Sequence, residues 1–256
     1  MLIILSPAKK QMLTLTKATV ATSKISFLQE AQTLVKLLKE YQRQDLQQLM
    51  SISPALAKLN QNRFLEYDLD FKNINKMAPA VTMFQGDAYK TLNSADFTTD
   101  DAIFCQNNMV IISGLYGALN PYDMIQEYRL EMKTNLTNSN GNNLYLFWGD
   151  KIANFINNKL AQHANKTIIN LASIEYSKAI DKKKLKYPII DIEFKEKHKG
   201  EYKTIGIYAK KARGLMARFI IKNKLTTPAE ITKFNQENYA YSQKLSTQGK
   251  LVFTRG

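Results

Sequence analysis

Ile111-Ile112-Ser113-Gly114-Leu115-Tyr116-Gly117-Ala118-Leu119-Asn120-Pro121-Tyr122-Asp123, followed by Gln126-Glu127-Tyr128-Arg129-Leu130-Glu131-Met132, decides how this chain folds. The apolar run from Met109 to Ile112 has the length and content of a buried strand, and two glycines with Pro121 force a sharp turn directly after it. In open α/β sheets ligands sit beyond the carboxyl ends of strands, which makes Ser113, Gly114 and Gly117 a candidate anion cradle of backbone N–H groups. The competing reading is a structural turn.

Other elements end on polar groups in the same way. Met1–Ser6 reads as a short buried strand whose exit, Pro7-Ala8-Lys9-Lys10, offers Lys9 to an anionic ligand. Thr167–Ser173 is a strand turning into a helix that carries Glu175 and Tyr176, and Ala78–Phe84 runs apolar, as a strand or partly buried segment, into Gly86-Asp87. Residues 11–24 read as a surface loop. From a Ser26 cap, Leu34, Val35, Leu37, Leu38 and Tyr41 describe a helix. Thr98 or Thr99 with Asp100 and Asp101 starts another, with Cys105 as a small buried hydrophobe.

A chain of 256 residues with 45% apolar and 10% aromatic side chains can bury a full core, as one α/β domain or as one with a small helical insert. The single cysteine fits a reducing compartment. With no signal-peptide pattern at the N-terminus and no apolar run of about 18 residues, the expectation is a cytoplasmic protein away from membranes. The net charge of +14 favours polyanions, and residues 178–224 concentrate it, with 15 Lys/Arg against 5 Asp/Glu. A solvated basic face is the plainer account.

Residues 44–64 pair two helices about Met50-Ser51-Ile52-Ser53-Pro54, with Ser53 as N-cap and Pro54 at the first helical position. The pattern resembles a helix-hairpin-helix, with serines where that module carries glycines. Lys58 and Arg63 would then touch phosphates. An ordinary helix pair is the alternative. Further on, Ile190, Ile192 and Phe194 suggest one strand of a hairpin that returns through Ile205, Ile207 and Ala209. A helix opened by Lys210 places Arg213 near its N-terminus and Lys211, Arg218 and Lys222 on one outward stripe. Thr227-Pro228 starts a last helix before a strand at Leu251–Phe253.

Walker-type, dinucleotide, nucleophile-elbow and metalloprotease motifs are absent from the sequence, and His163 and His198 are expected alone on the surface. No cofactor and no metal site are expected. Any acid–base chemistry or hard-metal ligation would fall to Asp87, Asp123, Glu131 or Glu175.

Taken jointly, Ser6-Pro7-Ala8-Lys9, Phe84-x-Gly86-Asp87-x-Tyr89, Ser113-Gly114-Leu115-Tyr116-Gly117, Tyr128-Arg129-Leu130-Glu131-Met132, Phe147-Trp148-Gly149, Asn170-Leu171-Ala172-Ser173-x-Glu175-Tyr176 and Tyr208-Ala209-Lys210-x-Ala212-Arg213-Gly214 resemble the YaaA family of bacterial peroxide-stress proteins. The likeness runs nearly end to end. It departs at Lys10, where the family often has Thr, and at Asn120, where it often has Arg. The resemblance implies a single α/β domain over residues 1–256, with a mixed central sheet flanked by helices and a helix-hairpin-helix-like insert. It implies a basic cleft, non-sequence-specific binding of duplex DNA, and a role in limiting iron-dependent oxidative damage.

Two functions follow as expectations. The first is a monomeric DNA-binding protein gripping phosphates through Lys58, Arg63, Lys210, Lys211, Arg213 and Arg218, with Lys9, Arg129 and the Ser113–Gly117 loop as further anion contacts. The second is an enzyme acting on a nucleotide or nucleic acid. It requires the exits of the strands at 1–6, 109–113 and 167–171 to converge on one cleft.

Overall fold

The computed structural model describes residues 1–13 and 20–256. Its strands are β1 (Leu2–Leu5), β2 (Ala78–Pro79), β3 (Met109–Ser113), β4 (Gly117–Leu119), β5 (Met124–Ile125), β6 (Ile168–Asn170), β7 (Ile189–His198), β8 (Glu201–Lys203), β9 (Ala240–Tyr241) and β10 (Lys250–Arg255). The helices are α1 (Leu28–Lys39), α2 (Arg43–Met50), α3 (Pro54–Leu65), α4 (Ala80–Met83), α5 (Asp87–Leu92) and α6 (Thr99–Asn108). They continue with α7 (Leu144–Trp148), α8 (Lys151–Ala161), α9 (Ile174–Ser177), α10 (Gly206–Lys222) and α11 (Pro228–Ile231).

The central sheet is mixed, in the order β4-β3-β1-β6-β7-β10-β9, with β8 paired to β7 and helices flanking the whole. Strands β3, β1, β6, β7 and β10 run parallel, while β4, β8 and β9 are antiparallel to their neighbours. Every residue of β1, β3 and β6 is buried, as continuous apolar runs in a parallel sheet should be. Because β3, β1 and β6 are adjacent and parallel, their carboxyl ends lie along one edge.

Local signals set most helix starts. Ser53 accepts the Leu56 N–H ahead of Pro54, and Thr98 with Asp101 and Thr227 with Glu230 form capping boxes. The helix pair expected at 44–64 is present as α2 and α3, but Arg63 is tied to Glu127 and the turn N–H groups of Ser51 and Ile52 donate back to Gln48 and Gln47. Those two amides are spent closing α2, so the DNA-docking hairpin geometry is not shown.

Several local expectations are corrected. The residue preceding α1 is Phe27, not Ser26, and it makes no side-chain cap. Of the 11–24 stretch, residues 14–19 lie outside the described residues. Gln11 is buried, where its side-chain carbonyl accepts the Tyr128 N–H at 2.7 Å. The Ala78–Phe84 run is a two-residue strand followed by the single-turn α4. Ile205–Ala209 does not return as a strand: α10 already begins at Gly206. Three alternating residues are too short a pattern to outvote the 3.6-residue spacing of Ala209, Ala212, Met216 and Ile220, all buried. Among the described residues no helix is long and apolar enough to cross a membrane.

Candidate functional site

The chain leaving β1 is stitched to the segment before α5. Gln85 N–H donates to the Lys10 carbonyl at 2.8 Å and Met12 N–H to the Met83 carbonyl at 3.0 Å. Gly86 passes so close to Ala8 that a Cβ there would stand 2.9 Å from the Ala8 methyl group. Asp87 therefore arrives beside the β1 exit. From the neighbouring strand, Ser173 N–H donates to Ser6 Oγ at 2.8 Å, and Tyr89 Oη donates to the Ser6 carbonyl at 2.9 Å. These bonds hold the ends of β1 and β6 and the start of α5 around one cleft of about 450 Å³.

Lys9, Asp87, Glu131, Glu175, Lys210 and Arg213 line this cleft together with Ser6, Lys10, Lys133, Ser173 and Tyr176. Six sequence candidates thus meet, although as many as 204 positions separate Lys9 from Arg213. Burial works against ionisation of Glu131, but the Lys9 hydrogen bond and the charges of Lys9, Arg129 and Lys133 outweigh it and hold the carboxyl below its usual range. Lys9 Nζ lies 2.8 Å from Glu131 and Arg129 3.0 Å from its other oxygen. Glu175 accepts the Lys133 N–H at 3.2 Å.

Arg213 differs from the other arginines inside the molecule. Arg63, Arg129, Arg218 and Arg255 pair with Glu127, Glu131, Asp96 and Glu196, whereas Arg213 pairs with no carboxylate among the described residues, and its buried Nε–H, like that of Arg129, meets no acceptor. Burial alone depresses its pKa. Its place is fixed by the next residue: a Cβ on Gly214 would overlap the Ala88 carbonyl, and Thr91 Oγ1 donates to the Lys211 carbonyl at 2.8 Å. Helix α10 is thereby clamped on α5. Arg213 sits mid-helix, so the expected grip at a helix N-terminus does not apply.

The remaining candidates lie elsewhere. Ser113 is fully buried, its hydroxyl sharing a 2.7 Å hydrogen bond with Tyr128 Oη and accepting the Tyr116 N–H at 3.0 Å. Gly114 abuts the Leu130 carbonyl, and Gly117, at φ +67°, packs under the Trp148 ring. The loop is an internal support and not an anion cradle, because its polar groups are consumed inside the core. What it supports is Tyr128–Met132, from which Glu131 reaches the cleft while the Arg129 side chain lies behind. Asp123 is also sealed in, hydrogen-bonded by Ser23 and by Asn120 N–H, and burial raises its pKa.

Arg218 does not face outward. It forks onto Asp96 at 2.7 and 2.8 Å and donates to the Leu92 and Asn93 carbonyls, while Lys222 reaches Asp101 at 2.8 Å. Lys211 and Lys58 remain exposed, outside the cleft lining. His163 is not alone on the surface: its ring lies 3.2 Å from the N-terminal amine of Met1. Sequence reasoning passed over Ser6, Ser173, Lys133 and Tyr176 as site residues. The signal for the first two was their place just beyond two fully buried strands. Among the described residues, no group of three His, Cys, Asp or Glu side chains is placed to hold a metal ion.

Comparison with known proteins extends over nearly the whole chain. A family whose description reads "Peroxide stress protein YaaA" matches residues 1–245. A UPF0246 protein of Saccharophagus degradans is 44% identical over 255 residues, covering 100% of this chain and 99% of its own. A UPF0246 protein of Legionella pneumophila is 42% identical, with 100% and 99% covered, and one of Crocosphaera subtropica 40% identical, with 100% of both.

Proposed function

Because the chain belongs to the YaaA family of peroxide-stress proteins, we propose that it acts in the cytoplasm during peroxide stress by binding duplex DNA through its basic cleft, and so helps limit iron-dependent oxidative damage. The observation that carries this reading is the gathering of Lys9, Lys10, Lys133, Lys210 and Arg213 around one opening, against three carboxylates. The side chains of Lys9 and Lys133 are 61% and 66% exposed even while paired with Glu131. Exposed ammonium groups at a rim are suited to phosphates, which carry no sequence information. Lys58 and Lys211 add charge outside the cleft.

Binding of this kind releases counterions. Affinity for a duplex of arbitrary sequence should fall by at least about a hundredfold between roughly 50 and 200 mM salt. An affinity that is absent at low salt, or flat across that range, defeats the proposal.

A second reading has its own support. The exits of β1 and β6 meet at the cleft; the β3 exit, buried at Ser113, does not reach it, and only the later segment that the β3 turn supports brings Glu131 there. The same opening holds Asp87, Glu131 and Glu175 beside the cations, an arrangement able to move protons on a bound nucleotide or nucleic acid. Asp123 plays no part in it. Turnover of a nucleotide or oligonucleotide that is lost in Asp87→Asn or Glu175→Gln would favour this reading over binding alone.

A further inference from the structure

Arg213 presents an unresolved electrostatic demand. A guanidinium drawn out of water is costly unless a counter-charge or acceptor replaces its hydration, and the other four interior arginines each have a carboxylate. The half-buried Arg213 has none among the described residues; its Nε–H is buried without an acceptor, as is that of Arg129, but Arg129 keeps Glu131 and Arg213 alone of the five lines the cleft. Lys210 lies one helical turn earlier on the same face. Across the opening stand Lys10 and the Ser173 hydroxyl, which accepts from Ser6 at 3.4 Å and keeps its own hydrogen to donate.

The carboxylates nearby do not supply the missing charge. Glu131 is shared among Lys9, Arg129 and Lys133, and Glu175 is bonded to the Lys133 backbone. Asp87, in the first turn of α5, makes no ion pair with Arg213 or Lys210 within 4.0 Å. Counting the lining side chains, five cations face three carboxylates. The excess of two positive charges matches a phosphate monoester, which carries about −1.5 to −2 near neutral pH, better than an internal diester with one.

Size sharpens the choice. A cleft of about 450 Å³ admits one nucleotide but not a duplex, so DNA lying across the rim cannot bring an internal phosphate to the floor. We propose that the cleft, with Arg213 as the fork inside it, Ser173 facing it and the exposed Lys10 and Lys210 at its rim, is a socket for a terminal phosphate monoester, on a free nucleotide or on the end of a nucleic-acid strand. The proposal rests on the reading of this cleft as the nucleic-acid-facing site and narrows its ligand from backbone to phosphorylated end.

The test uses the full chain and six probes at roughly physiological salt: a closed dumbbell duplex without ends, the same duplex opened with 5′-hydroxyl, 5′-phosphate or 3′-phosphate ends, adenosine monophosphate, and adenosine. A phosphorylated end should bind at least about tenfold tighter than the hydroxyl end. Adenosine monophosphate should compete with it and adenosine should not; a preference for the monophosphate alone would assign the socket to free nucleotides. Arg213→Gln should erase the phosphate preference, leaving phosphate and hydroxyl ends bound within about twofold of one another. Equal binding of hydroxyl and phosphate ends, with adenosine monophosphate no better a competitor than adenosine, overturns the socket even if the dumbbell binds well. Monophosphate binding without dumbbell binding upholds the socket and defeats the DNA reading. The phosphate comparison is made on the unmodified protein, so it stands whether or not the Arg213 variant folds.

Discussion

Trp148 donates its indole N–H to the carbonyl of Gly114 at 3.0 Å, in a site where both groups are buried. The same ring covers Gly117, where a Cβ would stand 2.6 Å from it, and Gly114 in turn lies against Leu130. Trp148 thus clamps the turn after β3, and the turn supports the segment that holds Glu131.

Removing this donor leaves a buried carbonyl unsatisfied. Trp148→Phe should lower unfolding stability by about 2 kcal/mol in a urea titration. Gly114→Ala should cost about as much through overpacking against Leu130, and should also loosen the Lys9–Glu131 pair at the cleft. A Gly114→Ala protein with unchanged stability would show that this contact does not constrain the segment.

Asp101 ties the end of α10 to the start of α6. Burial opposes its ionisation, but hydrogen bonds from Lys222, Lys224 and Thr98 outweigh that and hold the carboxyl well below the usual range. A depressed folded-state pKa stabilises the protein above the unfolded value of about 4 and is lost as pH falls through the folded value. Asp101→Ala should cost about 3 kcal/mol at neutral pH and flatten the acid limb of the stability profile. Thermal melts from pH 3 to 7 read both effects.

Lys159 gives a signature at the alkaline end. Its ammonium is mostly buried, donating to the Gln106 carbonyl at 2.7 Å and to Asn120 Oδ1, and burial lowers its pKa from 10.5 to about 8 despite Asp123 nearby. Between those values the unfolded chain binds more protons than the folded one, so this group makes stability rise with pH, by up to about 1.4 kcal/mol per unit. Lys159→Met should remove that slope between pH 8 and 10.5. Parallel profiles for the two proteins would contradict the assignment.

How much of this was legible beforehand depended on range. The continuous apolar runs at Leu2–Leu5, Met109–Ser113 and Ile168–Asn170 announced buried parallel strands, and the Thr98–Asp101 and Thr227–Glu230 spacings announced helix starts. Partners far apart in sequence were not legible. Arg63 with Glu127 and Arg218 with Asp96 read as free cations because the carboxylates that neutralise them stand 64 and 122 positions away. Ser113 and Gly117 looked like a cradle for the converse reason: a glycine turn after a strand has the same sequence whether it opens to solvent or closes under a tryptophan. The Lys9–Glu131 and Asp87–Arg213 neighbourhoods emerge only when the order β3-β1-β6 and the α5–α10 packing are known.

Charge reversal at the cleft rim tests the central claim most directly. Lys10 and Lys210 are exposed and line the opening, whereas Lys58 is exposed on α3 away from it. Measured by fluorescence anisotropy with an end-free duplex at about 50 mM salt, Lys10→Glu with Lys210→Glu should weaken binding at least about tenfold, and Lys58→Glu no more than about threefold. Equal losses at the two places, or a cleft double variant that binds like the unaltered protein, would contradict the account.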